Sequence, residues 1–286
     1  VDEIRLVEPN RLGVLLEDAT PEEAAKQAAD ALRQRLAELA AADSAGSGKS
    51  AVAALPRYPN SKDKSIWVVA ETTSQGLAHV TLEMLGKVRE LTQFTKSEVV
   101  AVLISSSPDA AVEELATQGA DRVLTMDNSQ LGPVFGRAVG ASLAEVVSKE
   151  NPYAVLFAAT ADGRDLASRL AARLGLGLTG DAIDLEIDAE GRLVQLKPAL
   201  GGNVVAPILS KTLPNLVTIR PGLLTPAVSE PGATATVEQI AAVPSDGPDL
   251  RLLKEVFQED QEGLLLANAA VVVGIGMGVG GLENVA

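Results

Sequence analysis

The sequence predicts an α/β protein with a three-layer, parallel-sheet domain of the nucleotide-binding type, followed by the start of a second α/β domain. Short apolar runs alternate with segments whose apolar residues recur every three or four positions. The runs are apolar on both faces, which is typical of inner strands in a parallel sheet covered by helices. Alternation of this kind implies right-handed crossovers and a doubly wound sheet.

The order of the elements follows from these two patterns. Buried strands are predicted at 66–70, 99–104, 122–124 and 154–158. Amphipathic helices are predicted between and after them, at 77–91, 111–115, 134–146 and 166–174. After Gly180 the pattern shifts to strands, with a hairpin turn at 189–191 and later strands at 204–209 and 216–219.

Breaks in composition divide the chain into four parts. Residues 1–42 form an extended arm and a helix, which starts at the capping box Thr20-Pro21-Glu22-Glu23 and runs to about Ala41. Residues 43–64 are small, polar and rich in proline, which predicts a linker. Residues 65–245 are the main α/β domain, and residues 246–286 begin another.

Two smaller interpretations belong to these parts. Gly46-Ser47-Gly48-Lys49-Ser50 resembles a phosphate loop only superficially, because the required earlier glycine is missing and a helix, not a strand, precedes it. The stretch 244–248 marks the second boundary. A short charged helix at 250–257 and a strand at 269–273 are predicted beyond it.

Composition excludes several classes of function. The 286 residues are 47% hydrophobic, which predicts a globular protein, and the net charge of −14 argues against nucleic acid as a partner. The absence of cysteine excludes disulfides and thiolate chemistry. No apolar run is long enough to span a membrane, so we expect no membrane insertion and a cytoplasmic location, or the mitochondrial matrix in a eukaryote. We also expect both chain ends to be cut from a longer protein.

A glycine-rich turn near the end of the chain is the first candidate site. Gly276, Gly278 and Gly281 follow a predicted strand with the spacing of a dinucleotide-binding turn. From the spacing alone, a cofactor site and a tight turn without a ligand are both open. A nicotinamide dehydrogenase is a further hypothesis that rests on this spacing alone, since the acidic residue it needs would lie beyond Ala286.

Other polar residues have structural and functional interpretations. Thr160 and Asp162 lie where a strand passes into a helix, and capping of that helix is favoured over ligand binding. Lys197 and Arg220 each lie beside Gly and Pro in apolar surroundings, where an ion-paired turn is favoured over a subunit contact or an anion site. His79 is the sole histidine and has no partners spaced for a catalytic triad.

Several segments, in this order, resemble the alpha subunit of electron transfer flavoproteins. They are Ile66-Trp67-Val68-Val69-Ala70-Glu71, Gly119-Ala120-Asp121-Arg122, Gly163-Arg164-Asp165-Leu166, Gly201-Gly202-Asn203 and Thr218-Ile219-Arg220-Pro221-Gly222. The segment from Val271 resembles the start of that subunit's flavin adenine dinucleotide (FAD) domain. Residues 1 to about 41, with Glu8-Pro9-Asn10, resemble the carboxyl end of the beta subunit. The resemblance covers nearly the whole chain apart from 43–64.

The resemblance implies an electron carrier and not a bond-making enzyme. It implies FAD, with Gly276, Met277 and Gly278 at a site that is incomplete in this chain, and AMP in the part of the beta subunit that is not present. The implied partners are a beta subunit or domain, acyl-CoA or other dehydrogenases of fatty acid oxidation, and a quinone oxidoreductase. Arg164 and Arg220 are expected at the beta interface.

Met277 is the main departure from the family's pattern. The family usually has an arginine at this position, so the chain lacks a cation expected near the cofactor. This motivates an alternative: an adenine-nucleotide-binding or regulatory α/β module that has lost flavin binding.

Overall fold

The computed structural model describes most of the main domain. The described residues are 5–6, 20–45, 55–73, 76–127, 136–202, 204–241 and 243, with single residues at 254, 266, 272, 274, 276, 278 and 280. The chain divides into two units, Val1–Leu250 and Arg251–Ala286. The predictions for 46–50, 244–248, 250–257 and 269–273 lie outside the described residues, apart from residues 254 and 272.

The described helices and strands alternate through the first unit. The helices are α1 (Pro21–Ala45), α2 (His79–Thr95), α3 (Asp109–Thr117), α4 (Arg137–Glu150) and α5 (Ala161–Leu174). The strands are β1 (Arg5–Leu6), β2 (Ile66–Ala70), β3 (Thr72–Thr73), β4 (Gly76–Leu77), β5 (Val99–Ile104), β6 (Arg122–Met126), β7 (Ala154–Ala158), β8 (Leu178–Ala182), β9 (Asp184–Ile187), β10 (Leu193–Ala199), β11 (Val204–Leu209), β12 (Asn215–Ile219) and β13 (Thr236–Gln239).

A seven-stranded sheet forms the centre of this unit. Its order is β13-β6-β5-β2-β7-β12-β8, and every pairing is parallel. Successive residues of β2 enter opposite cores: Val68 packs with α2 and α3, whereas Trp67 packs with α4 and α5. Both residues are fully buried. The sheet therefore lies between two helical layers, and the prediction of a three-layer α/β fold is confirmed.

A four-stranded antiparallel sheet extends from this body, in the order β1-β11-β10-β9. The hairpin predicted at 189–191 joins β9 to β10. A second hairpin, with its turn at Leu200–Gly202, joins β10 to β11. The strand β1, from the segment that resembles the beta subunit, pairs with β11 through Arg5 opposite Val205 and Leu6 opposite Val204. The arm therefore covers part of the edge of this sheet.

The helix α1 begins at the predicted capping box. The Glu23 amide donates to Thr20 Oγ1 at 3.3 Å, and the Thr20 amide donates to Glu23 Oε2 at 3.1 Å. The helix continues to Ala45, past the predicted end near Ala41. No helix among the described residues is long and apolar enough to span a bilayer.

Residues 55–64 lie in the segment predicted to be a linker, yet they contact the main body. Arg57 donates to the carbonyl oxygens of Ala116 and Ala120 at 2.8 and 3.0 Å, and its Nε donates to Glu230 at 2.9 Å. Arg57 thus adds a donor to the Ala116 carbonyl in the last turn of α3 and to the Ala120 carbonyl just after that helix. Composition alone cannot reveal these contacts, because they join residues far apart in sequence.

The segment 222–230 crosses α2 closely enough to require glycine. A Cβ atom on Gly86 would lie 2.3 Å from the Thr225 carbonyl oxygen and 2.6 Å from the Ala227 nitrogen. The Gly222 amide donates to both carboxylate oxygens of Glu83, at 2.9 and 3.1 Å. Glu83 is buried, so this hydrogen bond satisfies a carboxylate that water does not reach. We call residues 222–230 the strap.

Candidate functional site

The candidate site lies at the carboxyl edge of the parallel sheet. From β2 the chain moves outward to β5 and β6, and then returns to form β7 on the other side of β2. The strand order therefore changes direction between β2 and β7. In open α/β sheets, ligands bind in the crevice outside the carboxyl ends of the strands at such a point.

Glu71 and Thr160 join the two strands at this point. Glu71 follows β2, Thr160 follows β7, and the Thr160 hydroxyl donates to Glu71 Oε1 at 2.6 Å. The same hydroxyl oxygen accepts from the Gly163 amide at 3.1 Å, so the predicted capping of α5 by Thr160 is confirmed. Gly163 must be small, since a Cβ atom there would lie 2.1 Å from the Ala158 carbonyl oxygen.

Hydrogen bonds hold both the backbone and the carboxyl group of Glu71. Its amide donates to Thr81 Oγ1 at 2.9 Å, and the Thr81 hydroxyl donates to the Glu71 carbonyl at 3.0 Å. Burial raises the pKa of the Glu71 carboxyl, the hydrogen bond from Thr160 lowers it in part, and the charge of Asp162 raises it further. The pKa of Glu71 therefore lies above its ordinary value.

A cavity of about 280 Å³ opens beside these residues. Its lining includes Glu71, Asp162, Ser105 and Ser106. Carboxylates and hydroxyls can accept hydrogen bonds from hydroxyl or amine groups, but two carboxylates repel a phosphate. The position is one that binds nucleotides in many α/β proteins, yet its charge disfavours a nucleotide phosphate here.

A cluster of cations lies on the same edge of the sheet, and we call Arg164, Lys197 and Arg220 the basic cluster. Arg220 follows β12 and donates from Nε to Asp181 Oδ1 at 3.2 Å and from Nη2 to Asp181 Oδ2. Arg164, in the first turn of α5, lies 3.6 Å from Asp181 Oδ1. Lys197, on β10, donates to the carbonyl oxygen of Gly180. Two arginines thus contact one carboxylate, and the charge of Lys197 also acts on it.

Asp181 is the centre of this arrangement. Its backbone adopts a left-handed conformation with φ of 62°, which is uncommon outside glycine but is tolerated by Asp and Asn. The hydrogen bond from Arg220 lowers the pKa of Asp181, and the charges of Arg220, Arg164 and Lys197 add to this effect, while burial opposes it. Asp181 therefore remains ionised well below neutral pH.

The family resemblance predicted Arg164 and Arg220 at a beta interface, and that role stays a prediction. The structure brings both to Asp181, although they are far apart in the chain. Asp181 and Glu71 were missed as site residues. Glu71 had a detectable signal, since it is the first polar residue after a buried strand. Asp181 had no such signal, because the spacing of apolar residues does not show that an aspartate inside a strand has a left-handed backbone.

The glycine-rich turn belongs to the second unit. Gly276 and Gly278 are exposed, and no atom is found within 4 Å of the position of a Cβ atom on either of them. Met277 lies outside the described residues. The predicted FAD contacts at Gly276, Met277 and Gly278 therefore stay a prediction.

A buried ion pair lies away from this edge, below a second cavity of about 260 Å³ between α2 and the strap. Arg89 Nη2 contacts Asp121 Oδ1 at 2.9 Å, and both side chains are at most 2% exposed. Nε and Nη1 of Arg89 have no hydrogen-bond partner among the described residues. Asp121 Oδ2 also accepts from the Val99 amide at 2.9 Å, so the pair fixes the start of β5.

Comparison with known proteins identifies the family. The model of the electron transfer flavoprotein domain matches residues 66–245. The electron transfer flavoprotein subunit alpha of Thermoanaerobacterium thermosaccharolyticum is 33% identical over 222 residues, which cover 77% of this chain and 67% of that protein. The corresponding subunit of Clostridium acetobutylicum is 34% identical over 225 residues, with the same coverage of each chain.

A third relative has a different name. The lactate dehydrogenase (NAD(+),ferredoxin) subunit LctC of Acetobacterium woodii is 33% identical over 211 residues, covering 72% of this chain and 49% of that protein. Residues 66–245, which the family model matches, contain the parallel sheet, Glu71 and the basic cluster. The chain belongs to the electron transfer flavoprotein family and is an alpha-subunit-like member of it.

Proposed function

We propose that this chain is the alpha-type part of an electron carrier that holds FAD together with a beta-type partner and catalyses no bond-making step of its own. The observation that carries the proposal is the family match across the whole parallel-sheet body, with identity of about one third to alpha subunits. The protein's contribution to such a carrier is to position the cofactor and to set its environment.

The electrons would come from dehydrogenases, such as acyl-CoA dehydrogenases of fatty acid oxidation, and pass to an acceptor such as a quinone oxidoreductase. One relative is named as a subunit of a lactate dehydrogenase, which supports a dehydrogenase as electron donor. The first unit would act as a scaffold. Its acidic cavity at Glu71 and Asp162 disfavours the alternative in which this unit binds an adenine nucleotide through its phosphates.

The proposed partner is a beta subunit or domain. The segment of residues 1–42 resembles the carboxyl end of that subunit, and its strand β1 pairs with β11. Addition of a strand to an open sheet edge is a common way for one protein to hold another. We infer that this arm keeps a beta-type domain close to the antiparallel sheet.

Coexpression tests the proposal directly. The full-length gene that encodes this chain is expressed together with a beta-type electron transfer flavoprotein subunit, and residues 1–286 are produced alone. The purified proteins are examined for flavin absorbance and for reduction by an acyl-CoA dehydrogenase with its substrate. We expect a yellow, reducible complex from the full-length gene with its partner and no stoichiometric flavin on residues 1–286 alone. A stably folded, colourless complex would overturn the carrier proposal and favour the regulatory module.

A further inference from the structure

The cavity between α2 and the strap is bordered by segments that other contacts hold in place. One end of the strap is fixed by the hydrogen bonds from the Gly222 amide to Glu83. At the other end, the Glu230 amide donates to the Thr117 carbonyl at 2.8 Å, and Arg57 pairs with the Glu230 carboxylate at 2.9 Å. The space of about 260 Å³ therefore lies beneath a segment that is anchored at both ends.

Arg89 lines this cavity and has hydrogen-bond donors that the described residues leave unused. Its Nη2 contacts Asp121 and the Gly119 carbonyl oxygen, whereas Nε and Nη1 find no acceptor among the described residues. The side chain is 2% exposed, and native structures rarely keep such buried donors without a partner. Nε lies 3.6 Å from the position of a Cβ atom on Gly119, which also lines the cavity. An acceptor inside the cavity would satisfy this donor.

The walls of the cavity are mainly apolar. Apart from Thr225 and three charged residues, its lining consists of Leu55, Gly86, Gly119, Pro226, Ala227 and Val228. Leu55 and Val228 are also 37% and 59% exposed, so apolar side chains continue from the cavity to the surface. A buried water molecule needs two to four polar partners, and such walls offer few of them. An occupant with an apolar body therefore suits the cavity better than water alone.

The charges of the lining favour an uncharged occupant. The three charged side chains each have a partner: Arg89 with Asp121, Glu90 with Lys87 and Glu230 with Arg57. Because no charge is left unmatched among them, an ionic ligand would lose its hydration without gaining a counter-charge. A neutral carbonyl oxygen can accept from Arg89 Nε, and the N–H groups of an amide can donate to the carboxylates of the lining.

We propose that this cavity is a binding site for a small uncharged molecule with an apolar body and a carboxamide group, whose oxygen accepts from Arg89 Nε. An apolar cavity of about 150 Å³ holds a benzene ring, so this one has room for such a ring and a carboxamide. The site is separate from the proposed flavin carrier role, since its residues lie on α2, the strap and the segments beside them.

The experiment titrates the ¹⁵N-labelled full chain with four probes of similar size: benzamide, toluene, benzoate and benzylamine. The NMR resonance of the Arg89 Nε–H group reports on its hydrogen bond. We expect benzamide to shift this resonance and to bind with a Kd on the order of 1 mM or below. The other three probes are expected to bind about tenfold more weakly, since each lacks the neutral acceptor or carries a charge.

Arg89→Lys separates the hydrogen bond from the cavity itself. The variant keeps a cation for Asp121 and loses the Nε–H resonance, which identifies that signal in the original chain. It is expected to bind benzamide no more tightly than toluene. If the variant does not fold, the ranking of the four probes on the original chain still tests the proposed chemistry.

Two substitutions in the strap test the location of the site. Ala227→Leu adds bulk to a residue of the lining and is expected to weaken benzamide binding about tenfold or more. Leu223→Ala is the matched control, because Leu223 belongs to the strap, is 52% exposed and does not line the cavity. Its affinity is expected to stay within about twofold of the original chain. Urea unfolding checks that both variants are folded.

Three results would overturn the inference. Equal affinities for benzamide and toluene would show an apolar cavity in which Arg89 takes no part. An Arg89 resonance that no probe shifts would show that water alone reaches the donor. Tighter binding of benzoate or benzylamine than of benzamide would show that the site selects a charged ligand. The proposed electron carrier role stands or falls separately, since none of these measurements involves flavin.

Discussion

Gly86→Ala tests whether the close crossing of the strap over α2 contributes to stability. The new Cβ atom would lie 2.3 Å from the Thr225 carbonyl oxygen and 2.6 Å from the Ala227 nitrogen. An ordinary contact for such atoms is about 3.5 Å, so the strap must move by roughly 1 Å. Both obstructing atoms belong to backbone, which cannot rotate away as the end of a side chain would.

Two opposing effects set the expected magnitude. Alanine is favoured over glycine inside a helix by about 1 kcal/mol. Overpacking of a close contact costs about 1–3 kcal/mol, and movement of the strap weakens the hydrogen bond from Gly222 to the buried Glu83 carboxylate, which is worth a further 1–3 kcal/mol or so. We therefore expect the free energy of unfolding to fall by about 1–5 kcal/mol.

Gly140→Ala is the control, since Gly140 lies in α4 of the same domain. The closest atom to a Cβ atom there is Arg169 Cβ at 3.5 Å, which is an ordinary contact. This variant is expected to gain up to about 1 kcal/mol from helix propensity alone. Both variants are compared with the original chain by urea unfolding. If Gly86→Ala is as stable as Gly140→Ala, the strap does not press on α2 and the argument is refuted.

Three further substitutions concern the carboxyl edge and the sheet. Glu71→Gln is expected to raise the free energy of unfolding at neutral pH, because the folded-state pKa of Glu71 is raised and its ionised form disfavours folding. The gain disappears as the pH falls below the ordinary carboxyl pKa. An unchanged dependence of stability on pH in urea unfolding would contradict this. Thr160→Ala removes the cap of α5 and is expected to cost about 0.5–2 kcal/mol in the same assay, whereas Ser168→Ala at an exposed position of α5 costs nothing. Arg122→Met leaves buried carboxylates unpaired and is expected to cost about 3–5 kcal/mol at neutral pH. Burial raises the pKa of Glu150, but hydrogen bonding and charge from Arg122 lower it below its ordinary value. The stabilising contribution of Glu150 is therefore present above the unfolded-state pKa and is lost as the pH falls through the folded-state pKa. The cost of Arg122→Met should shrink in acid, and a constant cost would count against this network.

Much of the fold could be predicted because strands and helices that are buried leave a recognisable pattern of apolar residues in the sequence. A strand such as β5 is apolar at every position, since helices cover both faces of the sheet, and that pattern is visible in the sequence. The strand β13 was not predicted. Its residues are all exposed at the edge of the sheet, so nothing in its composition records its parallel pairing with β6.

The candidate site was only partly predictable for a related reason. The capping of α5 by Thr160 is a local interaction, which spacing along the chain indicates well. The meeting of Arg164 and Arg220 at Asp181 depends on three separate elements that only the sheet order brings together. Resemblance to the family placed both arginines in an interface, but it did not supply the shared carboxylate.

The short strand β13 affects whether copies of this protein can aggregate through the edges of their sheets. It forms the outer border of the parallel sheet, and a bare border of backbone amides invites another chain to add a strand. Here the border is four residues long, three of them polar, and Glu238 directs its carboxylate back to Arg122 at 3.3 Å. A second sheet could pair with β13 only by approaching the charged Glu238 side chain, which already pairs with Arg122. The strand β13 therefore disfavours aggregation through this edge of the sheet.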